Sequence, residues 1–383
     1  MISYGASLRS LWPLDPTVTY LNHGGYGATP HEVLAVQTDW RQRIEKNPTR
    51  FMTAEYPAAI RHAAGVLAGY VGAAPDDVVF IDNATSGCNA VLRSLDFRPG
   101  DEILIANLAY GAIIKAARYV ADRTGATLMI AELPLPVSHE DDVVAAFAAR
   151  LSDRTRLVVL DHIFSPTGLV VPVRRLSDAA HAVGARVLID GAHVPGNLAL
   201  NVIETGADWY VGNCHKWLFA PRACGFLWAT GAAREAIHPL AISHGYGQGM
   251  TAEFDWTGTR DPSTFLSVPA GIAFHDRLGG PALMTRNTGL ASEAARRLVS
   301  LWNTEVAAPP GMCAAMAAIR LPLEYASTAA DAVALRTWLS EHHKIEVALS
   351  FQGDAAWVRI AAQAYNEPTD YDTLAGAIAA YGR

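Results

Sequence analysis

The chain has 383 residues, of which 51% are hydrophobic and 17% are charged, and its formal net charge is −7. This length can bury a large core and predicts two domains, one of them dominant, while the composition argues against disorder. The negative charge argues against nucleic acid or an anionic membrane surface as a partner, since both require a basic face.

The four cysteines, Cys88, Cys214, Cys224 and Cys313, form no CxxC pair and no cluster typical of a metal site. They predict reduced thiols, mostly in the core of a cytoplasmic protein, with neither a disulfide framework nor bound zinc. The first twenty residues contain no apolar signal segment, and no run is long enough to span a bilayer. We therefore expect a protein that is neither exported nor inserted in a membrane.

A glycine-rich turn at residues 22–28 precedes the first predicted helix. Thr29 is the expected N-cap, with Pro30 at the first helical position and Glu32 completing a capping box. The glycines do not match GxGxxG and follow no long strand, so dinucleotide binding is weakly supported. A backbone that lies against a substrate and a plain turn are both open interpretations.

A polar turn at residues 82–87 (DNATSG) follows a predicted strand at 77–81 and leads into apolar residues at helical spacing. Free N–H groups at a helix N-terminus bind phosphate well. Simple capping by Thr85 or Ser86 is the structural alternative.

The pattern then alternates between short apolar strands and helical stretches. The further predicted strands are 102–106, 127–131, 156–161, 186–190, 209–212 and 225–228. This predicts an α/β fold with a mainly parallel sheet of about seven strands and helices on both faces. Past residue 262 the apolar strands become fewer, which predicts a large domain at 22–262 and a smaller α+β domain formed by 1–21 and 263–383.

Two successive strands end in residues suited to pyridoxal phosphate chemistry. Lys216 lies between His215 and Trp217, where shielding from water lowers the pKa of an amine and makes it a nucleophile. Asp190 ends the other strand and could face the pyridine nitrogen. Taken alone, such an aspartate is more often a helix cap and such a lysine a solvated surface group, but open α/β sheets bind ligands at the carboxyl ends of their strands. Arg359, in an apolar strand, needs an anionic partner from the protein or a substrate.

Several motifs taken together resemble the class V aminotransferase family of fold-type I pyridoxal phosphate enzymes. They are residues 83–86 (NATS), 190–193 (DGAH), 213–217 (NCHKW) and 358–360 (VRI). The strings that resemble its isopenicillin N epimerase-like branch are 21–24 (LNHG), 47–51 (NPTRF), 165–168 (SPTG) and 258–261 (GTRD). The match spans nearly the whole chain and implies the fold-type I architecture, a large cofactor-binding domain with a smaller α+β domain.

The resemblance implies which residues hold the cofactor. Lys216 would form the Schiff base, Asp190 would pair with the ring nitrogen, His193 would lie near the phenolic oxygen and Ser165 beside the ring. The phosphate would be held by Ala84, Thr85, Asn213 and His215. Tyr110 would stack on the ring, at the place where many relatives carry a histidine.

The resemblance also implies a substrate side and a partner. Arg359 would bind the α-carboxylate of an amino acid, with Asn22 and Arg50 as further candidates; a solvated surface position is the alternative for Arg50. Thr259 would reach the phosphate of a neighbouring subunit, which implies a homodimer with shared active sites.

An α-carboxylate held by Arg359 favours loss of the Cα proton to Lys216. The fate of the resulting quinonoid leaves epimerisation or racemisation, β-elimination and transamination open. An epimerase needs a second acid–base group, for which Tyr110, His23 and Tyr246 are candidates. Residues 341–357 contain no cysteine, which disfavours desulfuration through an enzyme persulfide but not a direct C–S lyase. A cofactor-binding protein without turnover is the alternative of another class.

Overall fold

The computed structural model describes residues 3–381. The strands in chain order are β1 (Thr19–Tyr20), β2 (Val78–Ile81), β3 (Glu102–Ala106), β4 (Thr127–Ala131), β5 (Thr155–Asp161), β6 (Arg186–Gly191), β7 (Trp209–Asn213), β8 (Gly225–Ala229), β9 (Met316–Arg320), β10 (Ile345–Glu346), β11 (Ala348–Gln352) and β12 (Ala355–Ala361).

The α-helices are α1 (His23–Tyr26), α2 (His31–Lys46), α3 (Pro48–Arg50), α4 (Tyr56–Val71), α5 (Ala84–Ser94), α6 (Gly111–Thr124), α7 (Glu140–Ala148), α8 (Val173–Ala182), α9 (Met250–Asp255), α10 (Ser263–Leu266), α11 (Val268–Arg277), α12 (Pro281–Trp302), α13 (Ala329–His343) and α14 (Pro368–Ala380). A π-helical turn, Phe51–Glu55, joins α3 to α4. Within residues 3–381, every helix is too short or too polar to cross a bilayer.

The central sheet has the strand order β2-β8-β7-β6-β5-β3-β4. Every neighbouring pair is parallel except those that β8 makes with β2 and with β7. Strands β2, β3, β7 and β8 are buried along their whole length, as expected for strands covered by helices on both faces. The prediction of a mainly parallel, seven-stranded sheet is therefore confirmed.

The carboxyl edge of this sheet gathers the polar residues of the site. The register of β5 and β6 places Asp161 directly beside Asp190. The N-terminus of α5 lies at the same edge, where the backbone N–H of Ala84 donates to Oδ1 of Asn213 at 2.8 Å. Strand ends that are far apart in sequence are thus neighbours in space.

A second sheet, with the antiparallel order β11-β12-β9, packs against α12 and α13 and has its own apolar core. Strand β1 pairs in parallel with β10, so the N-terminal segment joins this part of the chain. Helices α10 and α11 instead pack against α2 and α4, and Phe265 and Val268 belong to the core of the central sheet. The domain boundaries at 21/22 and 262/263 stay a prediction.

The predicted capping box at Thr29 and Glu32 is wrong. Helix α2 begins at His31, after Pro30, and has no side-chain cap. The buried hydroxyl of Thr29 donates to the carbonyl of Ala220 at 3.3 Å instead. The Thr29 hydroxyl therefore makes a tertiary hydrogen bond, although the local sequence pattern predicts that it caps the helix.

Candidate active site

A cavity of about 490 Å³ opens at the carboxyl edge of the central sheet. Most of the residues predicted to bind the cofactor line it together: Ala84, Thr85, Tyr110, Ser165, Asp190, His193, Asn213, His215 and Lys216. The chain thus brings these residues from five separate segments to one concave site, which is the usual form of a small-molecule site.

Lys216 faces the cavity from the segment after β7. Its Nζ lies 3.1 Å from Nε2 of His193. Burial lowers the pKa of Lys216 to about 8, and the charge of Arg359 acts in the same direction against the opposing effect of Asp190. Since the free amine is the nucleophilic form, Lys216 is suited to attack an aldehyde near neutral pH.

Two carboxyl groups lie side by side on the cavity wall. Asp190 accepts a hydrogen bond from the backbone N–H of Ala192 at 2.9 Å, and its other oxygen accepts none from the described residues. Burial raises the pKa of Asp190. The structure thus leaves one oxygen of Asp190 available to a cation inside the cavity.

Asp161 is the second carboxyl group, and sequence analysis missed it. It accepts a hydrogen bond from the backbone N–H of Tyr110 at 3.1 Å, while its buried Oδ1 has no partner among residues 3–381. Burial, reinforced by the charge of Asp190, raises the pKa of Asp161 well above its usual range. The signal was present in the sequence, since an aspartate ends an apolar strand here as it does at Asp190.

The N-terminus of α5 lines the cavity and is suited to an anion. Asn83 caps the helix by accepting from the N–H of Ser86 at 2.9 Å, which leaves Thr85 free to face the cavity. His215 lies opposite and donates from Nδ1 to the carbonyl of Cys224 at 2.7 Å. Burial lowers the pKa of His215 to about 4, so its ring is neutral in this state.

Arg359 is a buried cation beside this cavity. It donates to Oγ and the carbonyl of Ser165 and, at 2.8 Å, to Oδ1 of Asn22. No acidic side chain among residues 3–381 forms an ion pair with it, and its buried Nε has no acceptor. Burial lowers its pKa to about 10, which still leaves the guanidinium charged at neutral pH. The site therefore holds an uncompensated positive charge next to Ser165.

The glycine-rich turn packs directly on the lysine segment. Gly27 has a φ of +70°, and a Cβ there would lie 2.0 Å from the carbonyl oxygen of His215. Gly25 and Tyr26 line the cavity, although sequence analysis did not name them. The turn thus forms part of the cavity lining, and the interpretation that its backbone lies against a substrate stays a prediction.

Six candidate residues lie outside the lining of the cavity: Arg359 and Asn22, which are hydrogen-bonded to each other, and Arg50, Thr259, His23 and Tyr246. The exposed Arg50 pairs with Glu55 at 3.3 Å, and Thr259 is exposed; their assigned roles stay predictions. His23 is completely buried, with its ring nitrogens 2.9 Å from the hydroxyl of Tyr365 and 3.0 Å from the carbonyl of Lys216. Tyr246 is 62% exposed at another part of the surface. Within one chain, neither His23 nor Tyr246 is placed to exchange a proton with a ligand.

The sequence model of the family described as Aminotransferase class-V matches residues 19–374. The chain belongs to the class V aminotransferase family. Among its relatives, a probable chloroplastic L-cysteine desulfhydrase of Arabidopsis thaliana is 34% identical, over 95% of this chain and 83% of the relative. An isopenicillin N epimerase of Amycolatopsis lactamdurans is 33% identical, over 97% of each chain.

Solved structures agree on the fold. The cystine C–S lyase C-DES, in complex with cysteine persulfide, superposes with a TM-score of 0.82 at 23% identity, covering 96% of this chain and 98% of that one. The fold-type I architecture is therefore confirmed. As a member of the class V aminotransferase family, the chain is a pyridoxal phosphate-dependent enzyme that acts on amino acids.

The residues of the cavity fit this cofactor. The open oxygen of Asp190 suits the ring nitrogen, the N-terminus of α5 suits the phosphate, and the half-exposed ring of Tyr110 offers a stacking surface. The amine of Lys216 is available for covalent attachment. When bound, the cofactor supplies an electron sink for bonds broken at the Cα of an amino acid.

Proposed function

We propose that the chain catalyses β-elimination from L-cysteine or a closely related β-thiol amino acid, releasing sulfide, pyruvate and ammonia. The name L-cysteine desulfhydrase, which the plant relatives carry, supports this proposal. The observation that carries the proposal is that the cavity contains one directly linked amine–imidazole pair, Lys216 and His193, while His23 and Tyr246 lie outside it. Elimination needs an acid–base group on only one side of Cα, whereas epimerisation needs such groups on both sides.

Arg359 supports binding of the α-carboxylate. It donates to Ser165 and Asn22 and has no acidic partner among the described residues, so an anion beside Ser165 would compensate a buried positive charge. Two charge-assisted hydrogen bonds would fix the orientation of the amino acid. A fixed carboxylate holds the Cα–H bond in one direction relative to Lys216.

Lys216 can then move the proton. As the free amine it removes the Cα proton, and the ammonium so formed returns a proton to the departing sulfur. The Cα–H and Cβ–S bonds break, and a Cα–Cβ double bond forms. Water converts the unsaturated product to pyruvate and ammonia, so that L-cysteine and water give sulfide, pyruvate and ammonia without an external oxidant or reductant.

The cysteines support direct elimination over a persulfide route. No thiol lines the cavity among the described residues, and Cys88, Cys214 and Cys224 are buried elsewhere. Cys313 is partly buried beside Leu169, and burial raises its pKa to about 12. A thiol with so high a pKa is a poor nucleophile, because the thiolate is the reactive form.

Epimerisation is the second candidate, and Tyr110 favours it. Its phenol is 46% exposed, lines the cavity and is held through its backbone by Asp161. It is the one acid–base candidate of the three that has a place in the cavity. Elimination is the first proposal because it needs proton transfer by Lys216 alone, whereas epimerisation also needs Tyr110 to exchange a proton on the other side of Cα.

We also infer a homodimer. Three large apolar side chains in the segment after β8 are between 49% and 62% exposed, and a second copy of the chain could cover them: Leu240, Ile242 and Tyr246. Thr259 is exposed and outside its own cavity, as expected for a residue that serves the neighbouring site. Ile242→Glu should shift the mass measured by light scattering from dimer to monomer, whereas Leu323→Glu, at another exposed leucine, should not; a wild-type monomer would contradict the inference.

The reaction is tested with the cofactor-loaded enzyme and L-cysteine in deuterated water. We expect sulfide and pyruvate in equal amounts and neither with Lys216→Ala. Recovery of the D-enantiomer carrying deuterium at Cα, without sulfide, would replace the proposal by epimerisation. A keto acid that retains its sulfur would replace it by transamination.

A further inference from the structure

We propose that Trp217 fixes the tautomer of His193 and thereby holds Lys216 as a free amine. Trp217 would be a positioning residue that acts through His193, and His193 a hydrogen-bond donor and not the general base. The proposal rests on the assignment of Lys216 as the reactive lysine. It adds to the proposed function that Lys216 transfers the proton and that His193 donates a hydrogen bond to it.

The first contact fixes one ring nitrogen of His193. Trp217 is fully buried, and the partner of its indole N–H is Nδ1 of His193 at 3.4 Å. An indole nitrogen can only donate. Nδ1 must therefore accept, and it carries no proton.

The protonation of the other ring nitrogen, Nε2, follows from that of Nδ1. His193 is 2% exposed and has no carboxylate partner among residues 3–381, so burial lowers its pKa well below the usual range and the ring is neutral. A neutral ring with a bare Nδ1 carries its proton on Nε2. That nitrogen is 3.1 Å from Nζ of Lys216, so Nζ must be the acceptor.

Only the free amine of Lys216 can accept. An ammonium group has three donors and no lone pair. If Lys216 were protonated, its N–H and the Nε2–H of His193 would both be donors facing each other over 3.1 Å, which is unfavourable. The opposite tautomer would suit an ammonium, but it would set a proton on Nδ1 against the buried indole N–H. The titratable groups that also face this pair are Asp161, Asp190, His215 and Arg359.

The surrounding packing holds the indole and the imidazole in place. The rings of Trp217 and His23 lie 5.2 Å apart between their centroids. Gly24 packs so closely that a Cβ there would lie 3.0 Å from Trp217 and 3.6 Å from His193. The amide of Asn197 donates to the carbonyl of His193 at 3.0 Å, which fixes its backbone. These contacts oppose a rotation of either ring that would exchange its hydrogen-bond partner.

One experiment reads the tautomer directly in the cofactor-free protein. Nitrogen-15 NMR of labelled histidine, with His193→Gln to assign the signal, should find Nδ1 at an unprotonated shift and Nε2 at a protonated shift. The reverse pattern, or a doubly protonated ring at neutral pH, would overturn the proposal. The shifts themselves are read in the unsubstituted chain, and His193→Gln serves only to show which signal belongs to His193.

A second experiment reads the consequence at Lys216. Trace acetylation of the cofactor-free protein across pH, followed by peptide mass spectrometry, gives the midpoint at which this amine becomes reactive. Trp217→Phe should raise the midpoint by about one pH unit, a tenfold loss of free amine at a given pH. Trp209→Phe removes another buried indole, one that donates to the carbonyl of Ala233 at 3.0 Å, and should leave the midpoint unchanged.

An unchanged midpoint in Trp217→Phe would also overturn the proposal. Both measurements omit substrate, so their failure is distinct from failure of the β-elimination assay. If the tautomer and midpoint are as expected but L-cysteine releases no sulfide, the proposed reaction falls and the positioning role stands.

Discussion

Replacing Arg359 with methionine should leave the stability of the cofactor-free protein almost unchanged while removing most of its activity. Breaking a buried ion pair ordinarily destabilises a protein by about 3–5 kcal/mol, because the remaining partner is left as an unpaired charge. Arg359 has no acidic partner among the described residues, and its neighbours Ser165 and Asn22 are neutral. Its removal therefore leaves no charge behind.

The magnitude follows from two opposing contributions. Burial lowers the pKa of Arg359 from 12.5 to about 10. A shift of this size corresponds to roughly 3 kcal/mol of desolvation that the variant no longer bears. The three hydrogen bonds to Ser165 and Asn22 are lost at about 1.5 kcal/mol each, because their donor is charged. We expect the two contributions to cancel to within about 2 kcal/mol.

Activity should respond very differently. Two charge-assisted hydrogen bonds to a carboxylate contribute on the order of 3–4 kcal/mol together. Their loss should lower kcat/KM for sulfide release from L-cysteine by about a hundredfold to a thousandfold. The control is Arg320→Met on the neighbouring strand, where Arg320 pairs with Glu305 at 2.9 Å near the surface.

The assays are denaturant unfolding of the cofactor-free protein and steady-state kinetics of the loaded enzyme. Arg320→Met should change the free energy of unfolding by at most about 1 kcal/mol and leave kcat/KM as it was. The reasoning is refuted if Arg359→Met loses about 3–5 kcal/mol of stability, which would reveal an ion-pair role. It is refuted equally if kcat/KM stays at the wild-type value.

Further predictions concern the carboxyl pair, the lysine and the glycine turn. Asp161→Ala should weaken cofactor binding about tenfold, because the backbone N–H of Tyr110 loses its acceptor. Asp161→Asn keeps an acceptor there and should bind the cofactor nearly as well as the wild type. Fluorescence titration measures both affinities, and equal binding by the two variants would contradict this prediction. Covalent attachment of the cofactor should become faster as the pH rises towards 8 and then level off, because burial lowers the pKa of Lys216 to about 8 and the protonated amine cannot attack. Stopped-flow rates of attachment that fall over this range would contradict the prediction. Gly27→Ala should destabilise the fold by more than about 2 kcal/mol and abolish cofactor binding. Gly69 lies within α4 with open space around it, so Gly69→Ala should stabilise the fold by up to about 1 kcal/mol. Thermal unfolding distinguishes the two outcomes.

The central sheet was predictable because its strands are covered on both faces and therefore appear as short continuous apolar runs. The segment from Val78 to Ala229 follows this rule, and its strand ends carry Asp190 and the turn before Lys216. Asp161 follows the same rule and was still missed, because an aspartate after an apolar strand is also a common turn residue. Only the register beside Asp190 distinguishes it.

Contacts between distant segments could not be predicted from local patterns. The bond between Asn22 and Arg359 joins residues 337 positions apart, and the absence of an acidic neighbour among the described residues appears only in three dimensions. The same limit explains His23, whose ring was a plausible acid–base group but is enclosed by Tyr365 and the backbone of Lys216. Thr29 likewise lost its predicted capping role to a contact with the loop at Ala220.

The most direct test of the whole account is the position at which the cofactor becomes attached. The protein reconstituted with pyridoxal phosphate is reduced with borohydride, digested and mapped by mass spectrometry. We predict a single modified residue, Lys216, and no modification in Lys216→Ala, which should nevertheless stay folded. Attachment at another lysine, or a cofactor that never becomes covalently linked, would contradict the site described above.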